Sequence, residues 1–180
     1  LSVEVVEGDL TEHATLGKAL KGCRGLFHVA ADYRLWAPDP APMFKANVEG
    51  TRAIMLAAGD AGVERIVYTS SVATLGLLPG DQASDEETPV GFEDMIGPYK
   101  QSKFLAEAEV RALADSEGLA VVIVNPSMPL GPRDIKPTPT GRMIVEAASE
   151  KMPAYVDTGL NVVHVDDVAK GHLLAFDKGQ

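Results

Sequence analysis

Apolar residues along the chain fall into two patterns, short β-branched runs and longer stretches in which they recur every three or four positions. The short runs predict strands at 3–6, 25–31, 65–68, 120–125, 154–156 and 161–165. The longer stretches predict helices over 11–20, 41–61 and 142–151, with further helices that begin at Pro98 and Asp166. Strands that alternate with helices in this way predict an α/β fold around a parallel sheet.

Hydroxyl side chains collect where the apolar run at 65–68 ends, as Thr69, Ser70 and Ser71. A run that is apolar on both faces is typical of a buried parallel strand, so these hydroxyl groups are expected at its carboxyl end. Open α/β sheets bind their ligands at that edge. The sequence therefore predicts a ligand site beside residues 69–71.

Tyr99 and Lys103 lie four positions apart in the helix that begins at Pro98, so they share one face of it. A free phenol has a pKa of roughly 10, and a cation one turn away favours its ionised form. Such a phenol can exchange a proton with a carbonyl or alcohol oxygen that a serine hydroxyl also holds. Taken alone, the pair is also compatible with an aromatic residue at a helix start and a solvated lysine.

The segment 68–76, Tyr-Thr-Ser-Ser-Val-Ala-Thr-Leu-Gly, together with Tyr99-x-x-x-Lys103, resembles the signature of the extended short-chain dehydrogenases/reductases. This family contains nucleotide-sugar epimerases, dehydratases and dihydroflavonol reductases. The resemblance implies a Rossmann-like, doubly wound parallel sheet and a cofactor that is NAD or NADP. It also implies that Ser71, Tyr99 and Lys103 form the catalytic triad, with Lys103 on the nicotinamide ribose.

Other segments resemble the cofactor-binding segments of the same family. The cofactor-binding residues implied by the resemblance are Asp9, Leu10, Val29, Ala30, Ala31, Asn47, Thr69, Ser70, Tyr99, Lys103, Asn125, Pro126 and Met128. Without reference to the family, Asp9 is expected to be a turn residue. His28 is expected to be a buried histidine whose ring is hydrogen-bonded within the core. Gly50, in the middle of a predicted helix, is expected to allow close packing.

The loop at 32–40 and the segment 125–141 resemble the hopanoid-associated sugar epimerases of bacteria. Residues implied to contact the substrate are Tyr33, Trp36, Ser71, Asn125 and Arg133. We therefore expect an NAD(P)-dependent oxidoreductase or epimerase that acts on a sugar or nucleotide-sugar, with Tyr99 as acid and base. The alternatives are a dihydroflavonol-reductase-like ketone reductase that uses NADPH and a non-catalytic nucleotide-binding relative.

The glycine-rich turn that opens this family's first βαβ unit is absent, since Gly22-x-x-Gly25 precedes a predicted strand instead of following one. We expect that unit to lie before Leu1, which leaves the sheet incomplete on its amino-terminal side. We therefore expect the chain to be a fragment that, by itself, binds NAD(P) poorly. Its parts are a partial NAD(P)-binding domain at 1–130 and, at 131–180, the start of a substrate-binding region with a returning strand and helix.

The composition of the chain limits the classes of molecule that it is expected to bind. A net charge of -10 without a basic cluster argues against nucleic acid, which leaves a small-molecule substrate, with a homodimer as an open alternative. Cys23 is the only cysteine and is expected to be a small core residue, which favours a reducing, cytoplasmic compartment. The sequence shows no long apolar run for a transmembrane helix and no metal-ligand spacing among its four histidines, so no metal is expected.

Overall fold

A computed structural model describes residues 3–80, 82–135, 137–155 and 157–179. The strands are β1 (Gly25–His28), β2 (Arg65–Thr69), β3 (Val121–Val124), β4 (Met128–Leu130) and β5 (Val162–His164). The helices are α1 (His13–Leu20), α2 (Ala41–Phe44), α3 (Gly50–Asp60), α4 (Pro98–Glu117), α5 (Pro139–Ala148) and α6 (Val165–Lys178). A π-helical segment spans Lys45–Glu49, and short 3₁₀ helices span Val72–Thr74 and Phe92–Asp94.

Strand β2 lies at the centre of a parallel sheet with the order β1-β2-β3. Phe27 pairs with Val67 on one side, and Tyr68 pairs with Ile123 on the other. All three strands therefore end at the same edge. This arrangement confirms the predicted α/β fold with a parallel sheet.

Helices cover both faces of this sheet. On one face, Ile66 and Tyr68 of β2 pack in a buried cluster with Met55 of α3 and Val110 of α4. On the other face, Arg65 donates hydrogen bonds to the backbone oxygens of Phe176 and Gly179 at the end of α6. Alternate residues of a strand point to opposite faces, so this division follows from the strand itself. The predicted doubly wound arrangement is thus present.

Helix α4 carries two of the predicted catalytic residues, and its ends are set by local sequence. Pro98 is its first residue, where a missing backbone N–H costs nothing. Gly118 ends it in the left-handed conformation, with φ 66° and ψ 32°, which glycine adopts without steric strain. The prediction of a helix that begins at Pro98 is confirmed.

The predicted helix over 41–61 is present but not uniform. A π-helical turn at Lys45–Glu49 interrupts it between α2 and α3, and the buried Asn47 lies in this turn. The wider turn changes which side chains face inward, and such turns are frequent at functional sites. The prediction of a regular α-helix was therefore wrong at this turn.

The amino-terminal predictions need correction. Residues 3–6 form no strand, and Val3 and Val5 are 77% and 90% exposed, because no described strand lies beside them to complete a ladder. Helix α1 begins at His13, so the predicted helix over 11–20 is two residues too long at its start. The Thr11 backbone N–H and hydroxyl instead donate to Asp9 Oδ1 at 2.7 and 2.8 Å, an Asx turn.

Three further expectations differ from the structure. Strand β1 ends at His28, so the predicted strand at 25–31 is three residues too long. Ala154 and Tyr155 are not in a strand, and Val156 lies outside the described residues. Cys23 is exposed instead of being a core residue, and its thiol lies 3.6 Å from the Ala19 carbonyl oxygen.

A second, two-stranded parallel sheet pairs β4 with β5, and β4 was not predicted. The chain leaves the first sheet at Asn125-Pro126, as expected of a proline that cannot continue the ladder. Asp166 and Asp167 occupy the first turn of α6, as predicted.

The predicted division of the chain at residue 130, between a cofactor-binding part and a substrate-binding part, stays a prediction. Among the described residues, the helices are too short or too polar to span a membrane.

Gly50 provides a test of the predicted close packing. A Cβ at this position would lie 2.8 Å from Leu10 Cβ, which is closer than real Cβ contacts. We expect Gly50→Ala to lower the free energy of unfolding by about 1–3 kcal/mol, because overpacking forces side chains and backbone to shift. Urea denaturation measures this change.

Gly171→Ala in α6 is the matched control, because a Cβ there has nothing within 4 Å. This control is expected to be neutral or stabilising by up to about 1 kcal/mol, as for a helical glycine. Equal effects of the two substitutions would show that the contact with Leu10 does not constrain residue 50.

Candidate active site

Ser71 lies two residues after the carboxyl end of β2 and is half-buried. It caps the short helix Val72–Thr74, where its Oγ accepts a hydrogen bond from the Ala73 backbone N–H at 3.1 Å. A serine hydroxyl also has one hydrogen to donate. Ser71 can therefore donate to a ligand oxygen while its cap stays in place.

The Tyr99 phenol lies in the first turn of α4, where its side chain interacts with the side chain of Ser71. Burial raises the pKa of Tyr99, and the Ser71 side chain acts in the opposite direction without cancelling the rise. The phenol is thus protonated at neutral pH. In this state it can donate a proton.

Lys103 is 3% exposed, and its ammonium group is held by β2. Its Nζ donates to the Thr69 carbonyl oxygen at 2.9 Å and to the Tyr68 hydroxyl at 3.1 Å. Burial lowers the pKa of Lys103 to about 8, while the Glu107 carboxylate opposes this effect. An ammonium group has three donors, so one remains for a ligand hydroxyl.

The expected effect of Lys103 on Tyr99 is not what the structure shows. The sequence predicted that the cation lowers the pKa of the phenol, but burial dominates and the pKa of Tyr99 is raised. The ammonium group is bonded to Tyr68 and Thr69. Spacing alone could not reveal this, because the partners of Lys103 lie more than thirty positions away in the sequence.

A chain of buried polar groups continues from Lys103 into the core. Tyr68 is 1% exposed, and burial raises its pKa. His28 is 2% exposed, and its Nε2 lies 2.9 Å from Thr51 Oγ1, which confirms it as a core histidine with a hydrogen-bonded ring. Burial and the nearby Lys103 lower the pKa of His28 to about 4, so the ring is neutral at pH 7.

Asn47 connects the π-helical segment to the loop after β1. Its Oδ1 accepts from the Asp32 backbone N–H at 2.7 Å, and its Nδ2 donates to Asp32 O and Ser102 Oγ, each at 2.9 Å. Both amide hydrogens are therefore used within the protein. Asn47 thus binds the backbone of the loop after β1, whereas its contact with the cofactor stays a prediction, for which only Oδ1 has a lone pair left.

Ser70 and Asn125 both point toward the buried Glu107 carboxylate, which sequence reasoning missed. Ser70 Oγ donates to Glu107 Oε2 at 2.5 Å, and Asn125 Nδ2 donates to the same oxygen at 3.0 Å. Their side chains are thus committed to the protein. The predicted cofactor and substrate contacts of these two residues stay predictions.

The remaining residues predicted to bind the cofactor lie near strand ends or turns. Val29 and Ala30 are exposed after β1, and Ala31 is half-buried. Pro126 accepts a backbone hydrogen bond from Val72 at 3.1 Å. Further members of this set are Thr69, which bonds His172 Nε2 at 2.8 Å, Met128 at the start of β4, Leu10 beside Gly50, and Asp9 in its turn.

Asp9 is a turn residue in the structure, as predicted from the sequence without reference to the family. Thr11 donates to it from both backbone and side chain, and these bonds lower the pKa of its carboxyl. Asp9 is exposed, so its second oxygen remains open to solvent. Its predicted contact with the cofactor adenine stays a prediction.

The predicted substrate residues fall into two groups. Tyr33 and Trp36, in the loop after β1, are 53% and 73% exposed and so present apolar surface. Arg133 instead forms a 2.7 Å ion pair with Asp166, and its backbone has φ 74°. The Arg133 side chain is 74% exposed, and its contact with the substrate stays a prediction.

Glu107 could have been found from the helix pattern. It lies four positions after Lys103 and eight after Tyr99, on the buried face of α4 between Ala106 and Val110. An acidic residue at a core-facing position indicates a specific partner, because burial of an unpaired carboxylate is costly. Ser70, Thr74 and Asn125 could not be inferred as its partners, since they lie more than fifteen positions away in the sequence, whereas Arg111 is its i,i+4 neighbour on α4.

Comparison with known proteins identifies the class. Residues 1–180 match the NAD dependent epimerase/dehydratase family. The chain is 51% identical over its whole length to a putative dihydroflavonol 4-reductase of Synechocystis sp., covering 52% of that protein. It is 37% identical over 99% of its length to sterol demethylase protein B of Methylococcus capsulatus, covering 54% of that protein.

Solved structures agree with this match. The crystal structure of gox2253 is 61% identical, with a TM-score of 0.94 over 100% of this chain and 55% of gox2253. The dTDP-glucose 4,6-dehydratase DesIV from Streptomyces venezuelae, solved with NAD bound, is 25% identical, with a TM-score of 0.82 over 96% of this chain and 54% of DesIV.

The chain belongs to the NAD-dependent epimerase/dehydratase family, a group of extended short-chain dehydrogenases/reductases. The predicted family, the Rossmann-like fold class and the nicotinamide cofactor class are thereby confirmed. The chain spans about half the length of the curated relatives it matches. Within the described residues, no cluster of three or more His, Cys, Asp or Glu side chains could hold a metal ion.

His28 predicts a pH dependence of stability. Its folded-state pKa of about 4 lies below its unfolded value of 6.5, so its contribution is complete above pH 6.5 and is lost as the pH falls toward 4. We expect the free energy of unfolding to fall by about 2 kcal/mol between pH 7 and pH 5 from this group. Urea denaturation at both pH values measures the change.

The variant His28→Asn should remove most of this pH dependence. His13→Asn is the control, because His13 is exposed on α1 and should leave the dependence unchanged. Glu107 does not interfere, since its lowered pKa causes a loss only in more acidic solution. A pH dependence that survives in His28→Asn would contradict the assignment.

Proposed function

We propose that the protein containing this chain is an NAD(P)H-dependent reductase that converts an apolar carbonyl compound into an alcohol. The observation that carries this proposal is the juxtaposition of a protonated Tyr99 phenol, the Ser71 hydroxyl and the buried Lys103 cation at the carboxyl end of β2. These are the donors that a carbonyl oxygen needs while it gains negative charge. The 51% identity to a putative dihydroflavonol 4-reductase supports the same reaction class.

The proton transfer follows from the states of these groups. When bound, a reduced nicotinamide dinucleotide supplies the hydride, which is the chemistry that this chain's side chains lack. Ser71 donates a hydrogen bond to the carbonyl oxygen, and Tyr99 donates its proton to that oxygen as the alcohol forms. The Tyr99 phenolate then regains a proton from solvent.

The residues of the site fit a dinucleotide. Lys103 has two of its three donors on Thr69 and Tyr68, which leaves one for a ribose hydroxyl. After β1, the side chains of Ala30 and Ala31 are small enough to let a ligand approach the backbone. We propose NAD(P) as the cofactor of the whole protein on these grounds and on the family match.

Exposed apolar side chains at the sheet edge favour an apolar substrate. Leu35 and Trp36 after β1 are 70% and 73% exposed, Leu77 after β2 is 92% exposed, and Ile96 before α4 is 82% exposed. Such side chains gain free energy when an apolar ligand covers them. Arg133, the cation predicted to hold a polar substrate, is paired with Asp166.

A sugar or nucleotide-sugar epimerase is the second candidate function. It is favoured by the resemblance of the segments 32–40 and 125–141 to sugar epimerases and by the fold shared with a dTDP-glucose dehydratase. Self-association into a homodimer and a cytoplasmic location complete the proposal. The location is supported by the single cysteine.

The two functions predict different cofactor balances. We expect the whole protein, supplied with NADPH or NADH and an aromatic ketone, to consume one reduced cofactor for each alcohol formed. An epimerase would interconvert nucleotide-sugars without net consumption. Parallel assays of cofactor absorbance and product chromatography distinguish them, and turnover of the sugar alone would contradict the reductase.

Tyr99→Phe tests the proton donor. Removal of the hydroxyl should lower kcat by about 10²- to 10⁴-fold, the range for loss of a general acid. The measurement is the initial rate of reduced cofactor consumption by the whole protein. Tyr155→Phe is the control, because Tyr155 is 91% exposed and lies outside the site. Full activity in Tyr99→Phe would exclude Tyr99 as the proton donor.

A further inference from the structure

The buried face of α4 carries a third ionisable residue that the proposed reaction does not use. Tyr99, Lys103 and Glu107 are spaced at intervals of four, so they form one row along the helix. The Glu107 residue is only 8% exposed. A carboxylate in such a position needs hydrogen-bond donors around it to remain charged.

Glu107 has donors on both oxygens. Oε2 accepts from Ser70 Oγ at 2.5 Å, Thr74 Oγ1 at 2.9 Å and Asn125 Nδ2 at 3.0 Å. Oε1 accepts from Arg111 Nη2 at 2.7 Å. Burial alone would raise the pKa of Glu107, but these hydrogen bonds outweigh burial and lower it. The carboxylate is therefore ionised at neutral pH.

The donors come from the segments that must be aligned for catalysis. Ser70 and Thr74 flank Ser71 at the end of β2, and Asn125 follows β3. Thr74 Oγ1 also lies 2.8 Å from the Ser71 carbonyl oxygen, and Asn125 Nδ2 lies 3.2 Å from the same oxygen. Two residues that bind Glu107 thus also contact the backbone of Ser71.

We propose that Glu107 is a positioning residue, whose carboxylate ties the Ser71 segment to α4 and so fixes the Ser71 hydroxyl relative to the Tyr99 phenol. This inference rests on the proposed function. Glu107 touches neither hydroxyl and acts through Ser70, Thr74 and Asn125. Charge-assisted hydrogen bonds to one carboxylate suit this task because they are short and directional.

Glu107 also influences Lys103 electrostatically. Its negative charge opposes the effect of burial and keeps the pKa of Lys103 higher than it would otherwise be. The other titratable or charged groups around these two residues are Tyr68 on β2, His28 on β1, and Tyr99 and Arg111 on α4. Removal of the carboxylate charge should therefore make the Lys103 ammonium easier to deprotonate.

The test is Glu107→Gln in the whole protein, assayed as for Tyr99→Phe. The amide keeps the size of the side chain but loses the charge that holds three donors on Oε2. We expect kcat to fall by about 10- to 100-fold, as for a misplacement on the order of 1 Å. The KM for the carbonyl substrate should change by less than about 3-fold, since ground-state contacts remain.

Glu109→Gln is the matched control. Glu109 lies on the same helix and pairs with Arg52, outside the network around Ser71. This variant removes the same charge from α4, and its kcat should stay within about 2-fold of the parent, as for a partly exposed ion pair. Thr74→Val is the second variant, for the case in which Glu107→Gln does not fold. It removes one donor to Glu107 at similar volume, and kcat should fall by a smaller factor.

The pH profile of activity distinguishes a positioning role of Glu107 from a general loss of stability in Glu107→Gln. Activity should decline as the pH rises through the pKa of Lys103, about 8, and this alkaline limb should move to lower pH in Glu107→Gln. An unchanged kcat and pH limb in Glu107→Gln, while Tyr99→Phe is inactive, would overturn the role of Glu107 and leave the reductase intact. An active Tyr99→Phe would overturn the proposed function and this inference together.

Discussion

The parallel pairing of β2 with a strand on each side is the constraint on which the site depends. Because β1, β2 and β3 run in the same direction, their carboxyl ends meet at one edge, and Ser71 lies two residues after β2. The backbone of β2 also binds α4, since the Thr69 carbonyl oxygen accepts from Lys103 Nζ at 2.9 Å. One strand thus positions both the serine and the helix that carries the tyrosine.

Burial, more than the sequence neighbours of each group, sets the charge states around this strand. It raises the pKa of the Tyr99 phenol, makes the His28 ring neutral and lowers the pKa of Lys103 to about 8. Glu107 is the exception, because four side chains donate hydrogen bonds to it and offset its desolvation. A protonated phenol that interacts with a serine side chain suits the reduction of a carbonyl group, which requires a proton donor and stabilisation of negative charge.

Sequence reasoning identified the parts of the fold that depend on local pattern. The strand at Arg65–Thr69, the helix that begins at Pro98 and the row of Tyr99 and Lys103 all follow from periodicity and from proline chemistry. The failures concern long-range partners. The apolar run at 3–6 has no described neighbouring strand, and the π-helical turn at Asn47 makes contacts with Asp32 and Ser102. Glu107 stays ionised because donors such as Ser70, from another segment, bind its carboxylate.

The central claim is that Ser71 and Tyr99 hold the same oxygen atom. A crystal structure of the whole protein with NAD(P)H and an unreactive analogue of a ketone substrate tests it most directly. The account predicts that Ser71 Oγ and Tyr99 Oη both lie within about 3.2 Å of the ketone oxygen. A ketone oxygen bound by other residues, with the Tyr99 phenol turned away from it, would contradict the account.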